Sequence, residues 1–222
     1  MLKFYYHPSP NPAKVALLLE ELGTPYEMVP VDTRKGDQHK PEFLAINPNG
    51  KTPAIVDDGV AVFDSNAILL YLAEKHHKFL PTDPKLRGPF LSWMMFVATG
   101  IGPYSGQAVH FTRVTTTEEY AAKRYRFEAE RHWAILDAHL AGQTWMIGGE
   151  YTILDMAVWG WGRAMPYVLG DKASLFGNVT RLVETINARP AAARVDKLKE
   201  RVSFKQDMDA EAKAAMFRHL AA

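Results

Sequence analysis

The sequence predicts two unlike halves: an α/β module of order β-α-β-α-β-β-α built on a mixed sheet, then an all-helical half. Three observations carry this. Short strand-like runs alternate with helical periodicity as far as Leu72. Two apolar runs flank Asp57-Asp58-Gly59, a strong hairpin signal near the end of the module. Beyond Pro84 no strand signal remains.

The elements follow in order. Lys3-Phe4-Tyr5-Tyr6 is an aromatic-rich strand candidate. His7 to Pro10 reads as a loop, because prolines at 8, 10 and 12 prevent regular pairing. Asn11-Pro12 reads as an N-cap and first helical position, with Val15, Leu18, Leu19 and Leu22 as the apolar face and Gly23 as the stop. Tyr26 to Val31 is the second strand, Asp32 to Lys40 a polar, exposed loop, and Pro41 to Ile46 a short helix closed by Asn47-Pro48. After the Asn49-Gly50 turn, Thr52 to Val56 and Val60 to Phe63 form the hairpin. Asp64-Ser65-Asn66 supplies capping residues for a helix carrying Ala67, Ile68, Tyr71 and Leu72.

His76 to Pro84 is a linker, and Asp83-Pro84 restarts a helix. Lys85 to about Gln107 is long and apolar, with a break at Gly100 to Gly102-Pro103. Thr117 to Leu140 is amphipathic. Thr152 to Met165 is apolar nearly all round, which places it in the middle of a bundle. Its Thr152-x-x-Asp155 start is a capping box, a folding motif rather than a site. Val179 to Asn187 and Ala191 to Val202 are further helices. Asp207 to Leu220 has a weak apolar face and reads as a terminal helix or a frayed tail. The expected domains are 1–78 and 85–222.

Composition narrows the function. A net charge of +1 over 222 residues leaves no electrostatic footprint for nucleic acid. No stretch reaches the roughly 20 apolar residues of a membrane span. There are no cysteines, hence no disulfide, no thiolate metal site and no cysteine nucleophile, which fits a cytoplasmic protein. Thiol chemistry would have to come from a bound ligand. The eight histidines lack ligand spacing, so no metal is expected.

Two features around the hairpin could do more than fold. If the Thr52-Pro53 bond is cis, the backbone of Thr52 turns outward and can pair with an extended peptide. Ser65, at a helix start, offers a hydroxyl and backbone N–H groups that suit a carboxylate. Together they would hold a small peptide acid. The alternative is an edge proline and an ordinary N-cap.

The runs FYYHPSPNPAKVALLLEE, PEFLAINPNGKTPAIVDDG, FDSNAILLYLAEK and YTILDMAVWGW resemble the cytosolic glutathione transferases. SPNPAKVALLLEE, KGDQHKPEFLAINPNGKTPAIVD and GPYSGQAVHF resemble the bacterial Nu-type members, which reduce disulfides with bound glutathione. Those members carry a Thr-x-Asn pair at the start of the first helix; here Ser9 replaces the threonine and keeps a hydroxyl, and Asn11 is retained. The resemblance implies a thioredoxin-like first domain, an all-α helical bundle as the second, glutathione as co-substrate, no metal, and a homodimer. It implies that Ser9 and Asn11 stabilise the thiolate. Tyr5 and Tyr6 are competitors for that role, since some relatives use a tyrosine hydroxyl. It gives Thr52 with Pro53 to the cysteinyl backbone, Asp64 and Ser65 to the γ-glutamyl end, and Lys51 and Gln38 to the glycyl carboxylate. Arg124 would reach toward glutathione, and Tyr104, Gln107 and His110 would line a second-substrate pocket. Each also has a plain reading as a cap, a packed side chain or a solvated charge.

The expected function is a glutathione transferase whose bound thiolate attacks an electrophilic carbon, or reduces a disulfide or peroxide. The alternative is a non-catalytic ligand-binding or interaction module on the same fold.

Overall fold

The computed structural model describes residues 1–115 and 117–220. By their contacts these divide into two compact units, Met1–Tyr71 with Ala191–Ala222, and Leu72–Pro190.

The first unit is built on a four-stranded mixed sheet of order β2-β1-β3-β4. Its strands are β1 (Leu2–Tyr6), β2 (Tyr26–Pro30), β3 (Ala54–Asp57) and β4 (Val60–Phe63). Leu2, Phe4 and Tyr6 point inward from β1 while Lys3 is exposed, the period of a half-buried strand. β1 pairs in parallel with β2, Phe4 opposite Met28, which demands a crossover; α1 (Pro10–Leu22) supplies it. β3 is antiparallel to both β1 and β4, with Ile55 opposite Phe4 and Val62. α2 (Pro41–Leu44) precedes the hairpin and α3 (Ser65–His76) follows it. The order β-α-β-α-β-β-α is the one the sequence predicts.

α1 is buried over Lys14 to Leu19 without interruption and stops at Gly23, whose φ of +66° suits a residue without Cβ. Its start lies earlier than expected. Ser9, not Asn11, is the N-cap, and Pro10 takes the first helical position. Prolines 10 and 12 both fall in the first turn, where their missing N–H groups cost no intrahelical bond. β3 also begins later than expected, at Ala54.

The second unit is helical: α4 (Arg87–Phe96), α5 (Gly102–Val109), α6 (Glu119–His139), α7 (Ile153–Gly162), α8 (Met165–Leu169) and α9 (Gly177–Asn187). The expected break at Gly100 to Pro103 is instead a π turn, Val97–Ile101, so the helix runs on from α4 into α5. A π turn accommodates the missing N–H of Pro103 without ending the helix. Gly100 sits against the buried ring of His132; a Cβ there would stand 2.4 Å from His132 Cδ2. α7 is buried along nearly its whole length, as its apolar sequence predicts. α10 (Pro190–Asp196) and α11 (Ala210–Met216) complete the chain's helices among the described residues.

The capping box of α7 is present. Fully buried Asp155 accepts from the backbone N–H of Thr152 at 2.8 Å and of Met146 at 2.7 Å, while Thr152 Oγ1 accepts from Leu154 N–H. Burial raises the Asp155 carboxyl to about 6. Asp155→Ala strands both donors and is expected to cost about 2–4 kcal/mol in chemical denaturation. An unchanged midpoint would show that water replaces the carboxylate.

Candidate active site

The sheet register brings the site together. β1 and β3 are antiparallel neighbours with Tyr5 opposite Ala54, so the chain leaving β1 and the chain entering β3 lie at the same sheet edge. The first leads through His7 to Ser9 and Asn11 at the start of α1. The second arrives through Lys51 and Thr52, and the Thr52-Pro53 bond is cis. Buried Asn47 shapes this approach: Nδ2 donates to Lys51 O at 2.6 Å and Oδ1 accepts from Asn49 N at 3.0 Å. Two clefts result, sharing Lys51 and Thr52. One is lined also by His7, Ser9, Thr33, Gln38 and Met216. The other is lined by Asn11, Asn47, Pro53, Phe63, Asp64 and Ser65.

Ser9 is the N-cap of α1, yet its hydroxyl makes no capping hydrogen bond. A cap hydroxyl bonds the N–H of the second or third helical residue, and here the third is Pro12, which has none. Pro12 thus removes one of the two groups that the Ser9 hydroxyl could cap, and no cap bond is made to the other. At α3 the division of labour is reversed. Asp64 precedes the helix with φ +70°, and its Oδ1 accepts from Asn66 N at 2.9 Å and Ala67 N at 3.2 Å. The capping is done by Asp64, so the buried Ser65 is not needed for it.

The remaining expected residues are placed as follows. Lys51 is exposed and Thr52 half-buried. Gln38 is buried, and one of the two N–H groups on its Nε2 donates to Ala215 O at 3.0 Å, while Oε1 has no hydrogen-bond partner among the described residues. Tyr5 packs on Phe43 and Tyr6 on Phe4, the packing alternative for both rings. In the second unit, exposed Arg124 lies on α6, and Tyr104 and Gln107 lie on α5 with His110 just beyond it. Tyr104 packs on the His132 ring at 4.6 Å.

A family model for the N-terminal domain of glutathione S-transferase matches residues 1–74. The disulfide-bond oxidoreductase YfcG of Escherichia coli is 40% identical over 202 residues, covering 87% of this chain and 94% of that protein. The chain belongs to the glutathione S-transferase family. A solved family member from Pseudomonas fluorescens, with two glutathione bound, is 38% identical with a TM-score of 0.82, covering 87% of this chain and 91% of its own. A second, from Pseudomonas putida with one glutathione disulfide bound per subunit, is 36% identical with a TM-score of 0.83, covering 89% and 91%.

Two features of this glutathione S-transferase family member were not foreseen. The first is the C-terminal segment. The loop expected to be exposed, 32–40, instead buries Asp32 and Gln38, because residues 204–216 pack on it. Asp32 Oδ2 accepts from Lys205 N at 2.7 Å, Arg34 donates to Lys205 O and Gln206 O, and His39 Nε2 donates to Ala215 O. Phe204 packs on the ring of His7, 5.3 Å between centroids. Burial lowers the His7 pKa to about 4, with Asp32 opposing and Arg34 assisting, so this ring lines its cleft as a neutral group. These partners are far apart in sequence, and no local pattern announces them.

The second is Lys14, 1% exposed, with Nζ 3.4 Å from Ser65 Oγ. A signal did exist: KVALLL is apolar on every side, and a helix buried all round takes its lysine inside with it. Burial lowers the Lys14 pKa to about 8, with Asp64 partly opposing. The folded chain thus holds this proton less tightly than the unfolded chain. The resulting cost is full below pH 8 and fades as pH rises toward the unfolded value of 10.5. Lys14→Met is expected to stabilise the fold at pH 7 by up to roughly 3 kcal/mol, with the gain shrinking toward pH 10. A loss of stability at pH 7 would mean that the ammonium's contacts outweigh its burial.

Proposed function

We propose that this chain binds glutathione in the two clefts around Thr52 and uses the glutathione thiolate to reduce disulfides. The observation that carries the chemistry is the uncommitted Ser9 hydroxyl, with Asn11, at the start of α1. A free thiol with a pKa of about 8.5 is only a few per cent ionised at pH 7, so the first task is to stabilise the thiolate. A hydroxyl, an amide and the positive end of a 13-residue helix do this electrostatically. Ser9 and Asn11 take this role. Thr52 pairs with the cysteinyl backbone. Asp64 and Ser65 receive the γ-glutamyl end, and Lys51 the glycyl carboxylate. Gln38 joins Lys51 through the second N–H of its Nε2, the first being bonded to the Ala215 carbonyl.

The missing cysteines set the stoichiometry. The chain supplies no thiol, so both electrons come from two glutathiones. One thiolate attacks a sulfur of the substrate disulfide, and the departing thiolate takes a proton. The second glutathione thiolate then attacks the glutathione sulfur of the mixed disulfide, releasing the other half and leaving glutathione disulfide. Relatives solved with two glutathione or with one glutathione disulfide bound support this order. So does the similarity to a protein named as a disulfide-bond oxidoreductase.

Arg124 keeps its proposed role toward glutathione, and Tyr104, Gln107 and His110 theirs toward the second substrate. The same reading makes 1–78 the glutathione-binding domain and 85–222 the helical domain of a cytoplasmic homodimer. Conjugation to an electrophilic carbon is the second reading, since the same thiolate serves it.

Asn11→Ala is expected to move thiolate formation, followed by its ultraviolet absorbance, to higher pH and to slow disulfide reduction at pH 7 by roughly 10²-fold. A thiolate titration identical to that of the unaltered protein would remove Asn11 from the catalytic role.

A further inference from the structure

Behind the proposed carboxylate site lies a charge that the reaction does not use. Lys14 stands one turn into α1, and its Nζ has a single hydrogen-bond partner among the described residues, Ser65 Oγ at 3.4 Å. An ammonium only donates, so Ser65 Oγ accepts from it. The hydroxyl's own hydrogen must then point elsewhere, and Ser65 lines the cleft shared with Asn11, Thr52 and Asp64. In the neutral amine the roles can reverse. The nitrogen can accept, the hydroxyl hydrogen turns inward, and oxygen lone pairs face the cleft.

A donor facing outward attracts a carboxylate, and lone pairs facing outward repel one. We propose that Lys14 is a positioning residue: protonated, it fixes Ser65 as a hydrogen-bond donor toward a ligand carboxylate, and carboxylate binding draws a proton onto Lys14. This rests on the glutathione reading and deepens it at the γ-glutamyl end.

The local charge balance points the same way. Asp64 is the charged group whose field acts on Lys14, and it offsets burial only in part. Its carboxylate is exposed and already caps α3 through Asn66 N and Ala67 N. The ammonium is therefore incompletely neutralised in the free protein. A carboxylate arriving at Ser65 supplies the second negative charge. With a pKa of about 8, ammonium and amine are both populated at mildly alkaline pH, so the coupling is measurable there. Affinity then falls as pH rises through this range, whereas thiolate formation increases with pH. The two effects separate once the thiol is blocked.

The test uses S-methylglutathione, which has both carboxylates and no free thiol. Calorimetric titrations at pH 8 in buffers of different ionisation enthalpy give the protons taken up per ligand. The ligand's own ammonium contributes equally to every variant and cancels in the differences. The unaltered protein is expected to take up as much as about half a proton more than Lys14→Met. Lys14→Met and Ser65→Ala should each bind about tenfold more weakly at pH 7, the first with a shallower loss of affinity toward pH 9, the remainder being the ligand ammonium's own. Ser65→Ala leaves the lysine in place, so it tests the hydroxyl independently of the buried charge. Binding by the unaltered protein with the same affinity from pH 7 to pH 9 and no proton uptake would overturn this inference and leave the glutathione reading intact. No binding at any pH would overturn both.

Discussion

The site depends on how α3 begins. Asp64 adopts φ +70°, a conformation unusual for a residue with a side chain, and its carboxylate turns back onto the N–H groups of Asn66 and Ala67. This satisfies two donors that the helix cannot satisfy itself and relieves Ser65 of the task. Ser65 can then be buried at the cleft with Lys14 behind it. At α1 the logic differs but the outcome is similar. Pro12 withholds the N–H that a cap hydroxyl would bond, and Ser9 is left without a capping bond. In both helices a serine hydroxyl at the start of the helix takes no part in capping it.

The sheet brings these two helix starts to one cleft, lined by Asn11, Asp64 and Ser65. A parallel β1–β2 pair joined by α1, and an antiparallel β3 on the other side of β1, place the exit of β1 and the entry of β3 at one edge. Ser9, Asn11 and Thr52 are separated by some forty residues of sequence and share two adjoining clefts. Asn47 bonds both Asn49 N and Lys51 O in the turn that leads to Thr52. Stability is not maximised there. Among the described residues a lysine is buried against a single hydroxyl, and the Gln38 side chain has an unpaired buried oxygen. Such costs are common where a structure is arranged around a ligand.

Much of this was legible because it is local. Gly23 as a helix stop, the Asp57-Asp58-Gly59 hairpin and the Thr152-x-x-Asp155 box each act within a few residues, and all appear as read. The order of strands and helices followed from periodicity, and the proline before β3 marked the site's edge. What was missed is long-range or depends on three dimensions. Asp32 and Gln38 look like loop residues until a segment more than 170 residues away covers them. Gly100 to Pro103 looks like a break because a π turn has no distinct local signature; the reason for Gly100 is the ring of His132. The sequence marks Ser9 and Asn11 as site residues but points to a helix start two residues later than the structure's. Two prolines in one first turn allow more than one starting point, and the structure uses the earlier.

The central claim is that the starts of α1 and α3 and the backbone of Thr52 form one glutathione site. A crystal structure of this protein grown with glutathione disulfide tests it most directly. The account predicts one half of the ligand paired with the Thr52 backbone, its γ-glutamyl carboxylate at Ser65 and its sulfur beside Ser9 and Asn11. A disulfide bound elsewhere, or seated at Thr52 with its sulfur remote from the start of α1, would contradict it.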